Sequence, residues 1–439
     1  MRDLRFSEVL GLFRGLTREY RFLKRAPQMS REEMQAWQFQ RIQELVAHAY
    51  ENVPFYRDLY DSVSFRPGDL KTWQDFARLP IVTKDQVIQN YPDRMLAREV
   101  NRDDLVISRS SGSSGKVLDI AYDSKAMTTY ILAGLRLYRM GFSYRPRHKQ
   151  LYVYTSPYPM NSLMGLYPMV FVSTLAPIRE IIDAIVREKP DLLVCYPSHL
   201  KQILQEMTPA DRNALHLKFV SVNSEMSTQR ERDDMAEFLR CPVLDEYSSE
   251  ELTRIAAQCT AKNYHVFEDI NFMEIVDADE TGLGTLIGTN LHNTAMPMIR
   301  YAQNDLGRIG DFQCACGWKF RRLSGLEGRR NDSFLLPSGK LLNSGFLLDT
   351  TYEFLLEHRT AVRDFCLMQK ASDLIVLEIV PGDGWSEKIS AQIQSGFRRF
   401  LEDGVTFKIE EVEVCTKTKS GKRNPIINLM NRPKTTANA

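Results

Sequence analysis

The sequence lacks an excess of charge of either sign. Its 57 Lys and Arg residues are balanced by 56 Asp and Glu residues, which leaves a net charge of +1 over 439 residues. A protein that binds nucleic acid through its phosphates usually carries a basic excess, so we expect no nucleic-acid partner. With 43% hydrophobic residues, the composition is that of an ordinary globular protein.

Long hydrophobic runs are also missing. The most apolar stretch, Leu163 to Ile178, is interrupted by Pro168 and by polar residues, and it is too short to span a bilayer. We therefore predict no transmembrane segment and interpret this stretch as buried core. Met1 to Arg25 has neither a continuous apolar centre nor a small-residue cleavage site, so it does not fit a signal peptide. A cytoplasmic location is expected.

Apolar residues recur at helical spacing near the N-terminus and predict a basic amphipathic helix. Such a helix either packs on its own domain, which is the commoner arrangement, or lies on a membrane or a partner surface. The apolar positions are Phe6, Val9, Leu10, Phe13, Leu16 and Tyr20.

Cysteine is scarce and irregularly spaced. An odd count of seven, without a regular interval, argues against a secreted disulfide framework and fits a reducing compartment. Some of these thiols are expected to be small core residues, because their neighbours are apolar. They are Cys195, Cys241, Cys366 and Cys415.

The order of helical and strand patterns predicts an α/β protein of two domains. After a helical segment from Met29 to Tyr60, short apolar runs alternate with helical patterns, and a β-rich subdomain follows. Met298 to Tyr301 is one of the strands expected there. A compact α+β pattern then closes the chain. We predict a large N-terminal domain, residues 1–327, a small C-terminal domain, residues 328–432, and a disordered tail, residues 433–439.

A serine- and glycine-rich loop is the strongest local signal. It lies between an apolar run and the alternating pattern of Val117 to Tyr122, so we expect it to join two strands. Glycine backbone N–H groups, hydroxyls and one lysine suit a triphosphate, although the spacing is not that of the Walker loop. From composition alone, a flexible Ser/Gly turn is equally favoured. The loop consists of Ser110, Ser111, Gly112, Ser113, Ser114, Gly115 and Lys116.

This loop resembles the phosphate loop of the acyl-adenylate-forming superfamily. Ala49 to Tyr56 and Leu79 to Lys84 resemble the opening of its phenylacetate–coenzyme A ligase family, and Tyr196 to Leu200 resembles that family's capsular-biosynthesis-like branch. Similar segments occur from about residue 45 to residue 425. The resemblance implies a large adenylate-forming domain followed by a small mobile domain.

The resemblance also implies an ATP site. Tyr247 would flank adenine, Glu251 would bind Mg²⁺, and Asp305 would accept hydrogen bonds from both ribose hydroxyls. Lys422, in the segment Thr418 to Lys422, would enter from the small domain as the catalytic lysine. Without the resemblance, Glu251 fits a solvated acidic residue better, Asp305 fits a turn aspartate, and the segment that contains Lys422 fits a basic surface turn. The other residues implied are Ser224, Glu225, Glu246, Ser248, Arg308 and Arg329 for ATP, and Asn331 and Asp332 for the hinge.

Some positions depart from the family pattern. Ser248 replaces the usual glycine, Glu250 stands where a small hydroxyl residue is commoner, and Asn331 replaces a frequent acidic residue. Leu336 to Lys340 takes the place of the loop that guides the pantetheine arm of coenzyme A, and it differs from that loop. Coenzyme A is therefore left open as the acceptor.

Three cysteines and one histidine occur in the β-rich region. Thiolate and imidazole ligands in this number suit tetrahedral Zn²⁺, and several relatives place similar residues here. Four protein ligands would close the coordination sphere, which indicates a structural metal. The alternative is a group of reduced thiols. The residues are Cys259, His265, Cys314 and Cys316.

Residues and resemblance together predict ATP- and Mg²⁺-dependent activation of a carboxylic acid to its acyl-AMP, with release of pyrophosphate. The acyl group would then pass to a thiol, of coenzyme A or a carrier protein, or to an amine. The acyl pocket is expected at Tyr154 to Leu166 and Ser221 to Glu225, because α/β sites collect after strands. The alternative is a nucleotide- or acyl-binding scaffold that keeps the fold without turnover. A monomer and a homodimer are both open.

Overall fold

The computed structural model describes residues 17, 19–109, 117–141, 143–155, 162, 165–311, 313–358, 360–416 and 423–431. The loop at 110–116, Lys422 and the expected disordered tail lie outside the described residues, as does most of the expected N-terminal amphipathic helix. In the part of the chain that is described, no helix is both long and apolar enough to cross a membrane.

The first half of the chain alternates helices with strands. The expected helical segment from Met29 to Tyr60 is divided at Pro54, which has no backbone N–H to donate. Its first helix begins with a reciprocal capping box between Ser30 and Glu33. The elements are α1 (Arg31–Asn52), α2 (Pro54–Asp61), α3 (Trp73–Ala77), α4 (Lys84–Asn90), β1 (Val106–Arg109), β2 (Asp119–Tyr122), α5 (Ser124–Gly141), β3 (Gln150–Tyr154), β4 (Met169–Ser173), α6 (Ile178–Glu188), β5 (Leu192–Cys195), α7 (Pro197–Glu206), α8 (Pro209–Asn213), β6 (Phe219–Asn223) and α9 (Gln229–Leu239).

Strands predominate in the second half. They are β7 (Val243–Ser249), β8 (Thr253–Gln258), β9 (Tyr264–Val266), β10 (Asn271–Val276), β11 (Gly284–Asn290), β12 (Tyr301–Gly310), β13 (Arg322–Ser324), β14 (Phe334–Leu335), β15 (Leu341–Leu342), β16 (Val362–Ala371), β17 (Leu374–Pro381), β18 (Thr406–Glu411) and β19 (Ile426–Asn428). The helices among them are α10 (Ser344–Leu356) and α11 (Glu387–Arg398).

One large mixed sheet runs through the N-terminal part, in the order β10-β11-β12-β13-β9-β8-β7-β6-β5-β3-β4. The strand pairs from β4 to β7 are parallel. The pairs from β7 to β10 are antiparallel. Strand β7 is therefore where a parallel α/β half meets an antiparallel half, and it carries Tyr247.

Helices cover both faces of the parallel half. Leu193 and Cys195 of β5 pack in a core with α6 and α7, whereas Leu192 and Val194 pack in a second core with α1, α2 and α5. Alternate residues of a strand point to opposite faces, so a strand covered on both sides is apolar throughout. The four cysteines expected in the core are indeed buried.

The C-terminal part contains a separate sheet of four described strands, in the order β18-β17-β16-β19. Helices α10 and α11 pack on it around a core of its own. This arrangement confirms the expected large α/β unit followed by a smaller α+β unit.

The interpretation of Leu163 to Ile178 as buried core is wrong. Among the described residues, its strand β4 has a neighbouring strand on one side only, and all five residues of β4 are half-buried. Leu175 is 89% exposed. Residues 163–164 lie outside the described residues. The rest of the stretch is rich in apolar residues, but its strand, β4, lies at the edge of the sheet.

The expected strand from Met298 to Tyr301 is also wrong for most of its length. Met298 and Ile299 are fully buried in irregular backbone. The Met298 carbonyl accepts from the Asn290 amide, and the Ile299 amide donates to the Tyr56 hydroxyl. Buried backbone groups need partners, and these partners replace those that a strand would supply.

The sheet order predicts a large difference between two leucines. Leu193 is fully buried in the middle of the sheet. Replacing it with alanine should lower the free energy of unfolding by about 2–5 kcal/mol, because buried methyl groups are lost and a cavity remains. Leu175→Ala should change it by less than about 0.5 kcal/mol, since that side chain is exposed. Urea denaturation followed by circular dichroism measures both, and equal effects would contradict the sheet order.

Candidate active site

Tyr247 and Asp305 meet at irregular positions of two strands. In β12, the residues Gln303 to Asp305 face a single residue of β11, Leu286, so the strand bulges. Asn304 adopts a φ of 61° there. The pairing of β7 with β8 also shifts register next to Tyr247. Bulges re-aim side chains, and here the Tyr247 hydroxyl donates to Asp305 Oδ2 at 2.5 Å.

Arg329 completes this group from the start of the C-terminal part. Its Nε lies 3.7 Å from Asp305 Oδ1, and the two residues form an isolated antiparallel bridge. Gly328 precedes it with a φ of 71°, in the left-handed region that favours glycine. Burial raises the pKa of Asp305, and Arg329 and Tyr247 counteract part of that effect.

Glu251 lies in a second buried group nearby. Its Oε1 accepts a hydrogen bond of 3.0 Å from the Tyr301 hydroxyl and lies 3.7 Å from Lys84 Nζ. Burial lowers the pKa of Lys84, and the attraction of Glu251 partly restores it. The positive charge of Arg329 also lowers the pKa of Lys84. The two buried carboxylates and their cations therefore form one cluster.

The strands that flank the Ser/Gly-rich loop lie against the end of β7. Strands β1 and β2 pair as an antiparallel hairpin, as expected for strands on either side of that loop. The Ser108 hydroxyl of β1 donates to the Glu250 carboxylate, and the Tyr122 hydroxyl of β2 donates to the Glu250 carbonyl. The hairpin on either side of the loop is thus held at Glu250.

Other residues implied for ATP have different partners. The Glu246 carboxylate forms an ion pair with Arg254. Arg308 donates to the hydroxyl of Thr281 at 3.1 Å and to its carbonyl at 3.2 Å. Their roles in nucleotide binding stay predictions.

Polar and aromatic side chains gather where the parallel strands end. The Tyr154 hydroxyl donates to Asn223 and lies 3.0 Å from Ser224 Oγ. Its ring centroid is 4.5 Å from that of Tyr196. The carboxyl ends of parallel strands are where α/β sheets bind ligands. Of the expected acyl pocket, Tyr154, Asn223 and Ser224 lie here, whereas residues 156–161 and 163–164 lie outside the described residues.

The expected hinge contacts two asparagines near the C-terminus. The Asn331 carbonyl accepts from Asn431 at 3.1 Å, and Asp332 accepts from the Asn424 amide group at 3.2 Å. The Arg423 backbone N–H donates to Glu225 Oε1 at 2.9 Å. The residue after Lys422 therefore lies against the end of β6.

The three cysteines and the histidine expected to bind zinc lie together. Their ligand atoms are all within 4.8 Å of one another. Cys259 Sγ and Cys314 Sγ are 3.6 Å apart, and Cys316 Sγ is 3.3 Å from His265 Nε2. Zn–S bonds of about 2.3 Å in a tetrahedron place two sulfurs about 3.8 Å apart, so this spacing fits Zn²⁺.

The surroundings of this cluster also suit a metal. His265 Nδ1 lies 3.2 Å from the Phe320 carbonyl, which favours a proton on Nδ1 and leaves Nε2 as the ligand. Burial raises the pKa of Cys314, but hydrogen bonds from the Cys316 amide, His265 and Asn263 outweigh it and bring that pKa to about 6. A thiolate is the form of cysteine that binds metal.

Comparison with known proteins finds relatives in sequence and in fold. No family model matches the chain. Phenylacetate-coenzyme A ligase of Aromatoleum evansii is 29% identical over 326 residues, which cover 70% of this chain and 73% of the relative. Protein CapK of Staphylococcus aureus is 22% identical over 415 residues, 89% of this chain and 88% of the relative. The structure of 2-hydroxyisobutyryl-CoA ligase in its postadenylation state with R3-HIB-AMP has a TM-score of 0.76 at 19% identity and covers 92% of this chain and 91% of its own.

The chain is thus similar in sequence to phenylacetate-coenzyme A ligases, and it shares the fold of 2-hydroxyisobutyryl-CoA ligase. The structure brings together Tyr247, Glu251, Asp305 and Arg329, which the resemblance implies for one site. Sequence reasoning missed Lys84 as a site residue, although it had matched the segment that contains it. The missing signal was the ion pair with Glu251, which joins positions far apart in the chain.

The Cys/His cluster predicts about one zinc ion per chain, measured by elemental analysis of protein purified without added metal. His265→Asn and Cys314→Ser should lose the metal and lower the unfolding midpoint, because zinc binding contributes to folding. Cys415→Ser removes a buried thiol elsewhere and should keep the metal. Metal-free wild-type protein with an unchanged unfolding midpoint in chelator would refute the site.

Proposed function

We propose that this protein is an AMP-forming acid–thiol ligase, which activates a carboxylic acid as its acyl-AMP and transfers the acyl group to coenzyme A. The observation that carries the proposal is the cluster of two largely buried carboxylates, Asp305 and Glu251, with Tyr247, Arg329 and Lys84. The hairpin that flanks the 110–116 loop contacts Glu250, the neighbour of Glu251. The phenylacetate-coenzyme A ligases among its relatives support the reaction class.

The Asp305 group suits the nucleoside end of ATP. An ionised carboxylate has two oxygens and accepts hydrogen bonds from two neighbouring hydroxyls, as the ribose presents. The Tyr247 hydroxyl holds one side of the carboxylate, and Arg329 supplies positive charge on the other. We assign Asp305 to ribose and Tyr247 to the face of adenine.

The Glu251 group suits the phosphate end. Mg²⁺ in such sites is usually held by one or two carboxylates together with substrate phosphates, so the single buried carboxylate of Glu251 fits it. When bound, the ion would neutralise phosphate charge and make the α-phosphorus more electrophilic. Lys84 places a second positive charge at the same corner, and the loop at 110–116 would hold the departing pyrophosphate.

The reaction then has two steps. A carboxylate oxygen of the acid forms a bond to the α-phosphorus while the bond to pyrophosphate breaks. Lys422 stabilises the charge that develops between the carboxylate and the α-phosphate. The thiolate of the acceptor next attacks the acyl carbonyl, and AMP leaves with the bonding electrons. We assign residues 328–432 to the domain that turns about Asn331 and Asp332 between the steps.

Lys422→Ala should lower acid-dependent exchange of pyrophosphate into ATP by about 100-fold or more, because one charge-stabilising group is lost from the first step. Release of AMP from preformed acyl-AMP by coenzyme A should change by less than about two-fold, since that step follows adenylation. Lys419→Ala, in the same segment, is the matched control. A wild-type protein without exchange across a panel of aromatic and aliphatic acids would refute the proposal.

Asp305→Asn should raise the KM for ATP by about 10-fold or more, because a charge-assisted hydrogen bond becomes a neutral one. Since burial raises the pKa of Asp305, its carboxyl takes up a proton at a higher pH than a surface aspartate does. The wild-type KM for ATP should therefore rise as the pH falls through that range. The asparagine variant should lack this step, and identical pH profiles for the two proteins would contradict the assignment.

A further inference from the structure

Arg423 is a nearly buried arginine where the C-terminal sheet packs against α7 and α9. Its side chain is 10% exposed. Within its own part of the chain, its Nε donates to Asp364 Oδ1 at 2.9 Å and its guanidinium lies 4.9 Å from the centre of the Phe365 ring. Both residues belong to β16, so the guanidinium is fixed to the C-terminal sheet.

The same arginine also contacts the large domain. Its backbone N–H donates to Glu225, and its Nη1 lies 4.0 Å from Glu231 Oε1. Glu231 is buried, and its other carboxylate oxygen accepts from the Thr228 amide at the start of α9. The position of Glu231 is therefore set by the large domain alone.

A second ion pair crosses the same boundary. Lys201 Nζ of α7 lies 3.9 Å from Asp364 Oδ1. Charges therefore alternate across the contact, with Glu231 and Lys201 on the large domain and Arg423 and Asp364 on the small one. Because a buried charge is costly without a partner, this alternation favours one placement of the small domain. Turning that domain separates Arg423 from Glu231.

Arg423 directly follows Lys422, the proposed catalytic lysine, in the sequence. The contacts of Arg423 with the large domain are therefore one residue away in sequence from the group proposed to act in adenylation. We propose that Arg423 is a positioning residue, which latches the small domain onto Glu225 and Glu231 for the adenylation step and is released for the thiol-dependent step. The inference rests on the proposed function and extends it to the control of the domain arrangement.

Two variants remove the latch from opposite sides. Arg423→Ala should lower acid-dependent pyrophosphate exchange by about 10-fold or more, equivalent to about 1.4 kcal/mol in the barrier. Consumption of preformed acyl-AMP by coenzyme A should stay within about two-fold of wild type, because that step needs the latch open. Glu231→Gln keeps an acceptor for the Thr228 amide but removes the charge, so it should lower exchange in the same direction.

Controls separate a latch from general damage to the fold. Glu237→Gln lies on the exposed face of α9 and should behave as wild type, and Arg423→Lys should recover part of the exchange lost in Arg423→Ala. A parallel fall of both steps in folded protein would overturn the proposal, and so would wild-type exchange in Arg423→Ala and Glu231→Gln.

Hydrogen–deuterium exchange tests the latch without any activity. In ligand-free Arg423→Ala, amides of α7, α9 and residues 423–428 should exchange faster than in wild type, whereas those of β5 should not change. Unchanged exchange in α7 and α9 would overturn the latch. A wild-type protein that shows no acid-dependent pyrophosphate exchange would refute the proposed function instead, and this measurement would still decide the latch.

Discussion

Burying carboxylates is the constraint on which the architecture of the site depends. An anion removed from water is costly unless hydrogen bonds and a counter-charge compensate for it. At each of the two buried carboxylates, one tyrosine and one cation meet that need: Tyr247 and Arg329 at Asp305, and Tyr301 and Lys84 at Glu251. These groups come from an N-terminal helix, two strands and the start of the C-terminal part. The carboxylates therefore join segments that are far apart in sequence.

Features set by local sequence could be predicted well. The order of helical and apolar patterns predicts the alternating helices and strands of the first half, and the division of the first helical segment at Pro54 has a local cause, its missing N–H. What could not be predicted depends on long-range pairing. The bulge before Leu306 arises from the register between β11 and β12, and β4 is an outer strand because no further strand in the described part of the chain pairs with its other edge. A hydrophobic pattern indicates neither the register between two strands nor the position of a strand in its sheet.

The candidate site also divides into features set by local sequence and features set by long-range contacts. Its loop, its aspartate and its acidic pair are recognisable because each lies in a short segment with a family pattern. Lys84 also lies in a segment that resembles the family, but neither it nor Arg423 has a sequence pattern that indicates its proposed role. Their proposed roles come from the carboxylates that they contact across the fold, Glu251 for Lys84 and Glu231 for Arg423. Sequence reasoning therefore identifies the reacting end of the site better than the residues that hold it in place.

The unusual glutamate at position 250 bears on the choice between an enzyme and a scaffold that has lost turnover. An acidic residue next to the phosphate loop would oppose ATP if its charge faced the phosphates. In the structure, its carboxylate accepts from Ser108 and its carbonyl accepts from Tyr122, so Glu250 binds both strands of the loop hairpin to the end of β7. Glu251, its neighbour, is paired separately with Lys84 and Tyr301. Glu250, which departs from the family pattern, therefore helps to hold the hairpin in place. Because the groups proposed for ribose and magnesium remain buried, paired and mutually adjacent beside it, the structure favours an enzyme.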